Sequence, residues 1–243
     1  MSALFPILRN PLVAIAFAVA VLAGCAGVNS VSGGRAGPPV AAPDYRVGDR
    51  WVYQFESGYL AKTTWNETHE ITSIGPGGIT VRITGKGPGI DSERIEQWPA
   101  PGIVLVGAVY ENETVRFDPP LLRYKYPLAA GEAWNQRIRD LDKPPGPYGP
   151  IVRHVRVGGY ETVTTPAGTF DAIRLQVIMQ LDDETFWRYA TECTYQIWYA
   201  PAIGAAVLEH NRSQWRDKGD EDGTIYHPGQ YAQIRLVSHT RGR

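Results

Sequence analysis

The sequence predicts an all-β fold, a sandwich, meander or barrel of many short antiparallel strands, on three observations. Apolar side chains recur with period two, Gly and Pro punctuate the chain at strand-length intervals, and no segment carries a long helical stripe. Of 243 residues 43% are hydrophobic, enough for one core once a leader is set aside. The 24 Lys and Arg nearly balance the 25 Asp and Glu, so no global field draws nucleic acid, which is set aside as a partner.

The chain opens on a leader. Arg9 is the one charged side chain among the first ten residues, and residues 12–22 hold no polar side chain. That run is too short to cross a bilayer, which takes about 20 residues, and small residues follow where a stop-transfer sequence carries Lys or Arg. Leu22-Ala23-Gly24-Cys25 ends the run. This box resembles the cleavage site of bacterial lipoproteins. The resemblance implies a signal peptide over 1–24, cleavage between Gly24 and Cys25, and three acyl chains (palmitate among them) anchoring Cys25 to a membrane. One acyl chain holds only marginally, at about 0.8 kcal/mol per buried CH₂, whereas three hold permanently. Ala26 in place of the Asp that retains enteric-type lipoproteins points to the outer membrane, facing the periplasm. Residues 25–43 carry Gly33, Gly34, Gly37, Pro38, Pro39 and Pro43 without periodicity and read as a flexible linker, reaching about 20–25 Å. The folded domain is expected over 44–243.

Trp51, Tyr53 and Phe55 then alternate with Val52, Gln54 and Glu56. Further strands are expected over 65–74, 79–85, 92–98, 103–108 and 113–117. A helical turn is expected within 119–126, where Leu121, Leu122 and Tyr124 crowd together. Strands resume over 134–140 and 151–157, and residues 160–170 form a hairpin. There Pro166 presets the first corner, and Gly168 supplies the left-handed conformation that returns the chain. Ile173, Leu175, Val177, Met179 and Leu181 face one way while Arg174, Gln176 and Gln180 face the other, a half-buried antiparallel strand. The last strands are expected over 186–199, 205–212 and 232–240. The 186–199 run concentrates Trp187, Tyr189, Tyr195, Trp198 and Tyr199, rings that either line a pocket or fill a core.

Gly48-Asp49-Arg50-Trp51 and Gly131-Glu132-Ala133-Trp134 echo one another, which either a duplicated half-sheet or a chance turn before a strand Trp explains. The separation of Gly48 and Trp51 departs by one residue from the lipocalin pattern, which turns the ring to the other face.

Gly159-Tyr160-Glu161, Val163 and Thr165-Pro166-Ala167-Gly168-Thr169-Phe170, with Ala172 and Arg174, resemble a pattern in bacterial envelope proteins loosely grouped as DUF3108-type β-domains. Tyr126-Pro127-Leu128 with Gly131 and Trp134, and Trp198-Tyr199-Ala200-Pro201 with Gly204 and Val207, extend the likeness over 126–208. It implies a curved antiparallel sheet or incomplete barrel, related in outline to periplasmic lipoprotein carriers that cradle acyl chains. The stretch 45–117 departs from that pattern.

No catalytic set is legible, and no cofactor or metal site is expected. No Ser sits in a Gly-x-Ser-x-Gly elbow, His69-Glu70 lacks the second His of a zinc helix, and the five His are scattered. Gly85-Lys86-Gly87-Pro88-Gly89 reads as a turn rather than a phosphate loop. Asp217, Asp220, Glu221 and Asp222 before Gly223, and Asp182-Asp183-Glu184, read as charged turns rather than calcium or acid–base pairs. Residues 142–150 read as a Pro-rich loop. With Cys25 acylated, Cys193 has no disulfide partner and reads as a small buried hydrophobe. The expectation is a non-enzymatic, membrane-anchored lipoprotein that binds an apolar or lipid-like ligand on a curved β-sheet, through residues the sequence does not identify. The alternative is an envelope interaction or assembly factor without a small ligand. A carrier has a cavity; a scaffold is packed solid.

Overall fold

Period-two patterning and Gly/Pro turns yield a sheet without helices in the computed structural model, which describes residues 34–58, 61–144, 149–220, 222 and 224–243. The strands are β1 (Arg50–Ser57), β2 (Thr63–Gly75), β3 (Gly78–Gly87), β4 (Ile90–Trp98), β5 (Ile103–Ala108) and β6 (Thr114–Leu122). They continue as β7 (Ala133–Asp140), β8 (Ile151–Thr165), β9 (Gly168–Gln180), β10 (Glu192–Ala200), β11 (Ala205–Arg216) and β12 (Tyr226–Thr240). Each pairs antiparallel with the next, and β12 returns to β1, so the expected curved sheet closes into a barrel. Closure leaves no free edge for intermolecular pairing. Two seams are thin: β4/β5 with only Gln97↔Val106 in register, and β6/β7 with only Phe117↔Asp140 and Asp118↔Arg139. At β6/β7 the Gln136 side chain stands in for main chain, donating to the Pro120 carbonyl at 2.7 Å and accepting from Leu122 N–H at 2.9 Å.

Three expectations are corrected. Residues 119–126 form no helical turn: β6 runs on through Pro119 and Pro120 to Leu122, because each proline holds its predecessor extended. The last aromatic-rich strand begins at Glu192 rather than at 186, so Trp187 and Tyr189 do not share a strand with Tyr195. Asp183 breaks that run by accepting from Thr191 N–H at 2.8 Å and pairing with Arg188. The segment before it crosses to the end of β11, where Tyr189 N–H donates to the Arg216 carbonyl and Lys218 N–H to that of Trp187.

The third correction concerns the linker. Cys25 and Gly24 lie outside the described residues, as does Gly33, but the stretch from Gly34 to Val40 is docked rather than free. Arg35 and Tyr160 exchange main-chain bonds of 2.8 Å, and Val40 and Leu128 exchange bonds of 2.8 and 2.9 Å. The Tyr160 hydroxyl donates to the Pro38 carbonyl at 2.7 Å, and Val40 is buried in the core. This contact needs glycine: a Cβ on Gly159 would lie 2.7 Å from the Gly34 carbonyl carbon.

The echoed tetrapeptides occupy equivalent places. Gly48 N–H donates to the Ile71 carbonyl and Ile71 N–H to that of Asp49; Gly131 N–H donates to Val157 and Val157 N–H to Glu132. Both glycines have positive φ, 87° and 91°. The correspondence extends around the barrel. Trp51 pairs with His69, His69 with Ile83 and Ile83 with Arg94; Trp134 pairs with Val155, Val155 with Val177 and Val177 with Tyr195. The β4–β5 and β10–β11 turns also match, Ile103 N–H donating to Ala100 and Ile203 N–H to Ala200. The barrel therefore consists of two six-stranded halves built alike, β1–β6 and β7–β12, which favours duplication over chance.

Apolar packing differs between the halves. One cluster of buried side chains joins Phe117, Leu121 and Ile138 to Val155, Leu175 and Tyr199, mostly from the second half. Another gathers Trp51, Ile71, Val81 and Leu236 around the first strands.

Candidate functional site

A cavity of about 510 Å³ occupies the barrel interior, within the range of small-molecule sites. Its exposed border is at the end where β1 meets β2 and β5 meets β6, at Glu111, Asn112 and Gly229. The opposite end is stopped by the docked N-terminal strand: Tyr45 donates to the Gly204 carbonyl at 2.8 Å and Trp51 Nε1 to that of Ile203 at 3.4 Å. Period two aims the rings inward. Trp51, Tyr53 and Phe55 from β1 face Trp65 from β2 and Trp98 from β4, with Tyr195 and Ile197 across the lumen. Phe55 and Trp65 stack with centroids 5.0 Å apart.

The same periodicity aims charge inward. Glu67 is fully buried and accepts from Trp65 Nε1 at 3.3 Å, shares a hydrogen bond of 3.2 Å with His69, and receives both Arg94 Nη atoms at 3.4 and 3.1 Å. Arg94 approaches Glu96 at 4.0 Å, and Glu96 takes Arg123 at 3.1 Å and Trp98 Nε1 at 2.8 Å. Charges thus alternate along Glu67, Arg94, Glu96 and Arg123, two carboxylates against two guanidiniums. Burial works against ionisation of Glu67, but its bond to His69 and the charge of Arg94 prevail and push its pKa down to about 2. Burial opposes ionisation of Glu96 too, and Arg123 with the Trp98 bond overcomes it, so its pKa falls.

Three further polar groups border the cavity. Arg153 is 4% exposed and donates to the main-chain carbonyls of Leu122 at 2.7 Å and Arg123 at 3.4 Å. Burial and then the neighbouring Arg123 lower its pKa to about 10. Glu209 is pushed upward by burial, against the pull of Arg123 and the bond from Asn211. Asn211 is itself buried, and its Oδ1 has no partner among the described residues.

The repeat shows that this charge is not required by the barrel. Register places His69 where the second half has Val155, Arg94 where it has Tyr195, and Glu96 where it has Ile197. The same sheet closes there over Val155, Tyr195 and Ile197, none of them charged, while the counterpart of Glu67 is the charged Arg153. A buried ion pair is weak support for stability when apolar packing is available.

Of the rings flagged by the sequence, only Tyr195 lines the cavity. Trp198 points the other way and donates to Glu161 at 2.7 Å, and Tyr199 packs against Tyr124 and Tyr126. Trp187 and Tyr189 are exposed and join an outer cluster, Trp187 edge-on to Trp215 and Tyr189 under the Arg216 guanidinium. Cys193 is buried and free of disulfides, its thiol pushed up to about 12 by desolvation. The acidic turns serve locally: Asp217 bonds His227 at 3.1 Å, Asp220 accepts from Ile225 N–H at 2.8 Å, and Glu184 pairs with Lys218 at 2.7 Å. Glu221, Gly223 and residues 145–148 of the Pro-rich loop lie outside the described residues. Among the described residues no group of His, Cys, Asp and Glu is arranged to hold a metal.

The inward charges went unread because His69 was tested against a helical spacing of four. On a strand its partner is two residues away, at Glu67. Trp65, Glu67, His69 and Ile71 stepping by two was the available signal.

No family model and no curated protein matches this chain. Two solved structures resemble it: a presumed lipoprotein from Parabacteroides distasonis ATCC 8503 and a presumed exported protein with a YmcC-like fold from Bacteroides fragilis NCTC 9343. Each is 13% identical, with 84% of this chain and 100% of the other covered, at a TM-score of 0.43. At that score the likeness bears on neither the ligand nor the anchoring of this chain.

Proposed function

We propose that this protein is a non-enzymatic envelope lipoprotein, anchored through Cys25 to the outer membrane, that holds a small amphipathic ligand inside its barrel. The observation that carries the reading is the cavity of about 510 Å³, bordered by exposed residues at one end and stopped at the other. A scaffold acting only through its surface has no use for such a space, and unfilled core volume costs stability. The lining refines the expected ligand: a purely apolar guest would leave Arg153 and Asn211 unmatched, so one with both apolar and polar parts fits better. The test is uptake of the uncharged fluorophore N-phenyl-1-naphthylamine by the full chain and by Ala232→Trp, which fills the lumen from β12. Saturable uptake by the native chain that disappears in a folded Ala232→Trp supports the reading, and uptake unaffected by the substitution contradicts it.

A second reading, contact with an envelope protein, is favoured by the exposed rings of Phe186, Trp187, Tyr189 and Tyr226, interleaved with Arg188 and Arg216. Trp, Tyr and Arg dominate interface hot spots. Site-specific photocrosslinking from position 187 in cells tests it: a discrete protein adduct supports the contact, and adducts with lipid alone oppose it.

A further inference from the structure

Inside the barrel three carboxyl groups, Glu67, Glu96 and Glu209, meet three guanidiniums, Arg94, Arg123 and Arg153, but Arg153 has no carboxylate at contact among the described residues. Glu67, Arg94, Glu96 and Arg123 satisfy one another in sequence. Arg153 stands outside that chain. It donates to two peptide carbonyls, and no carboxylate lies within 4.0 Å of it among the described residues. A guanidinium carries five donors in a planar fork that matches a carboxylate with two parallel bonds. Glu209 borders the same space and acts on Arg153 electrostatically, but at more than contact distance, so the fork of donors is left without a carboxylate against it. Beside it Asn211 is 8% exposed with an orphaned Oδ1, an acceptor that takes a donor such as water rather than a carboxylate.

We propose that Arg153, flanked by Glu209 and Asn211, is the anchor for the carboxylate of a single-chain amphiphile whose apolar part lies against Trp51, Phe55 and Trp65. This deepens the carrier reading and rests on it. One unmatched cation suits a monoanion, because a dianionic phosphate monoester would bury a second, uncompensated charge. Burial raises the pKa of Glu209 against the pull of Arg123, the bond from Asn211 and Arg153, which weakens its repulsion of a bound carboxylate. The volume suits one small ligand rather than a diacyl phospholipid. The repeat agrees, since Arg153 occupies the position where the first half has Glu67, paired there by Arg94. The second half places Tyr195 where Arg94 would be, so Arg153 has no built-in counterpart.

The test is isothermal titration of the delipidated full chain with dodecanoate and with dodecanol, which share a chain and differ in the head. Dodecanoate should bind about tenfold tighter, the worth of one charge-assisted pair. In Arg153→Met that preference should vanish, and in Arg153→Lys it should survive in part. Should Arg153→Met fail to fold, Glu209→Gln reads the same point: removing the acid beside the anchor should tighten dodecanoate about threefold and leave dodecanol alone. Equal affinities in the native chain, or a preference that persists in Arg153→Met, overturn the head-group assignment while leaving the carrier reading intact. Binding of neither probe overturns both.

Discussion

Replacing Glu67 by Gln tests the buried charge chain where its energetics are most exposed to measurement. The substitution keeps shape and removes charge. It leaves Arg94 with Glu96, at 4.0 Å, as its remaining carboxylate and Asn112 Oδ1, at 3.3 Å, as a neutral acceptor, and weakens the acceptor for Trp65 and His69. Two routes give the magnitude. A pKa lowered from 4.5 to about 2 corresponds, at 1.36 kcal/mol per tenfold in proton affinity, to about 3 kcal/mol of stabilisation at neutral pH. Glu67 has no solvent-exposed area, so solvent screening takes nothing from that figure. Removing one member of a buried pair costs about 3–5 kcal/mol in general, in agreement. The sign follows from the depressed pKa. Stabilisation is full above about pH 4.5 and drains as pH falls toward 2, where the folded carboxylate takes its proton. Urea unfolding followed by tryptophan fluorescence, at pH 7 and at steps below 4.5, gives both quantities. Glu67→Gln should lose about 3 kcal/mol at pH 7 and show a flatter acid limb than the native chain. A loss within the ~0.5 kcal/mol of ordinary surface substitutions, or an unchanged acid limb, refutes the account of the network.

Three other outcomes follow from the packing. Gly159→Ala forces a Cβ against Gly34 and unseats the N-terminal strand. Two main-chain bonds and the burial of Val40 are then at risk, about 2–4 kcal/mol, read as a lower melting temperature and faster tryptic cleavage after Arg35. Gly168→Val meets no close atom, the nearest being Phe170 Cζ at 3.9 Å, but its φ of 131° is essentially confined to glycine. It should cost about 1–3 kcal/mol in thermal denaturation, and a variant that melts with the native chain contradicts the turn assignment. Cys193, buried with its thiol pushed up to about 12, should resist a thiol reagent at pH 8 in the folded chain and react stoichiometrically once unfolded. Rapid modification of the folded chain removes it from the core.

Local alternation made most strands legible. β1 and β9 carry apolar residues on one face and polar ones on the other, and the Pro166–Gly168 turn between β8 and β9 follows from its two residues. Closure was not legible, because the return of β12 to β1 depends on accumulated twist and stagger rather than on any one segment. The interior charge was hidden for a related reason. In β4 the buried face is Arg94 and Glu96, while Ile95 is 41% exposed, which inverts the usual relation of polarity to burial. Only the barrel brings Arg123 to Glu96 and Arg153 to the same cavity from distant parts of the chain. The docked strand was misread because Gly34 and Gly37 signal flexibility in isolation, whereas here they permit close approach to Gly159 and the Tyr160 ring.

The most direct measurement is native mass spectrometry of the full chain, purified from its own host's envelope and compared with Ala232→Trp prepared in parallel. A guest carried in the cavity appears as a discrete added mass on the native chain, about one per molecule, released on denaturation, identified as a carboxylate amphiphile and missing from the filled variant. Both proteins appearing only at their own unliganded masses contradicts the cavity as a carrier site.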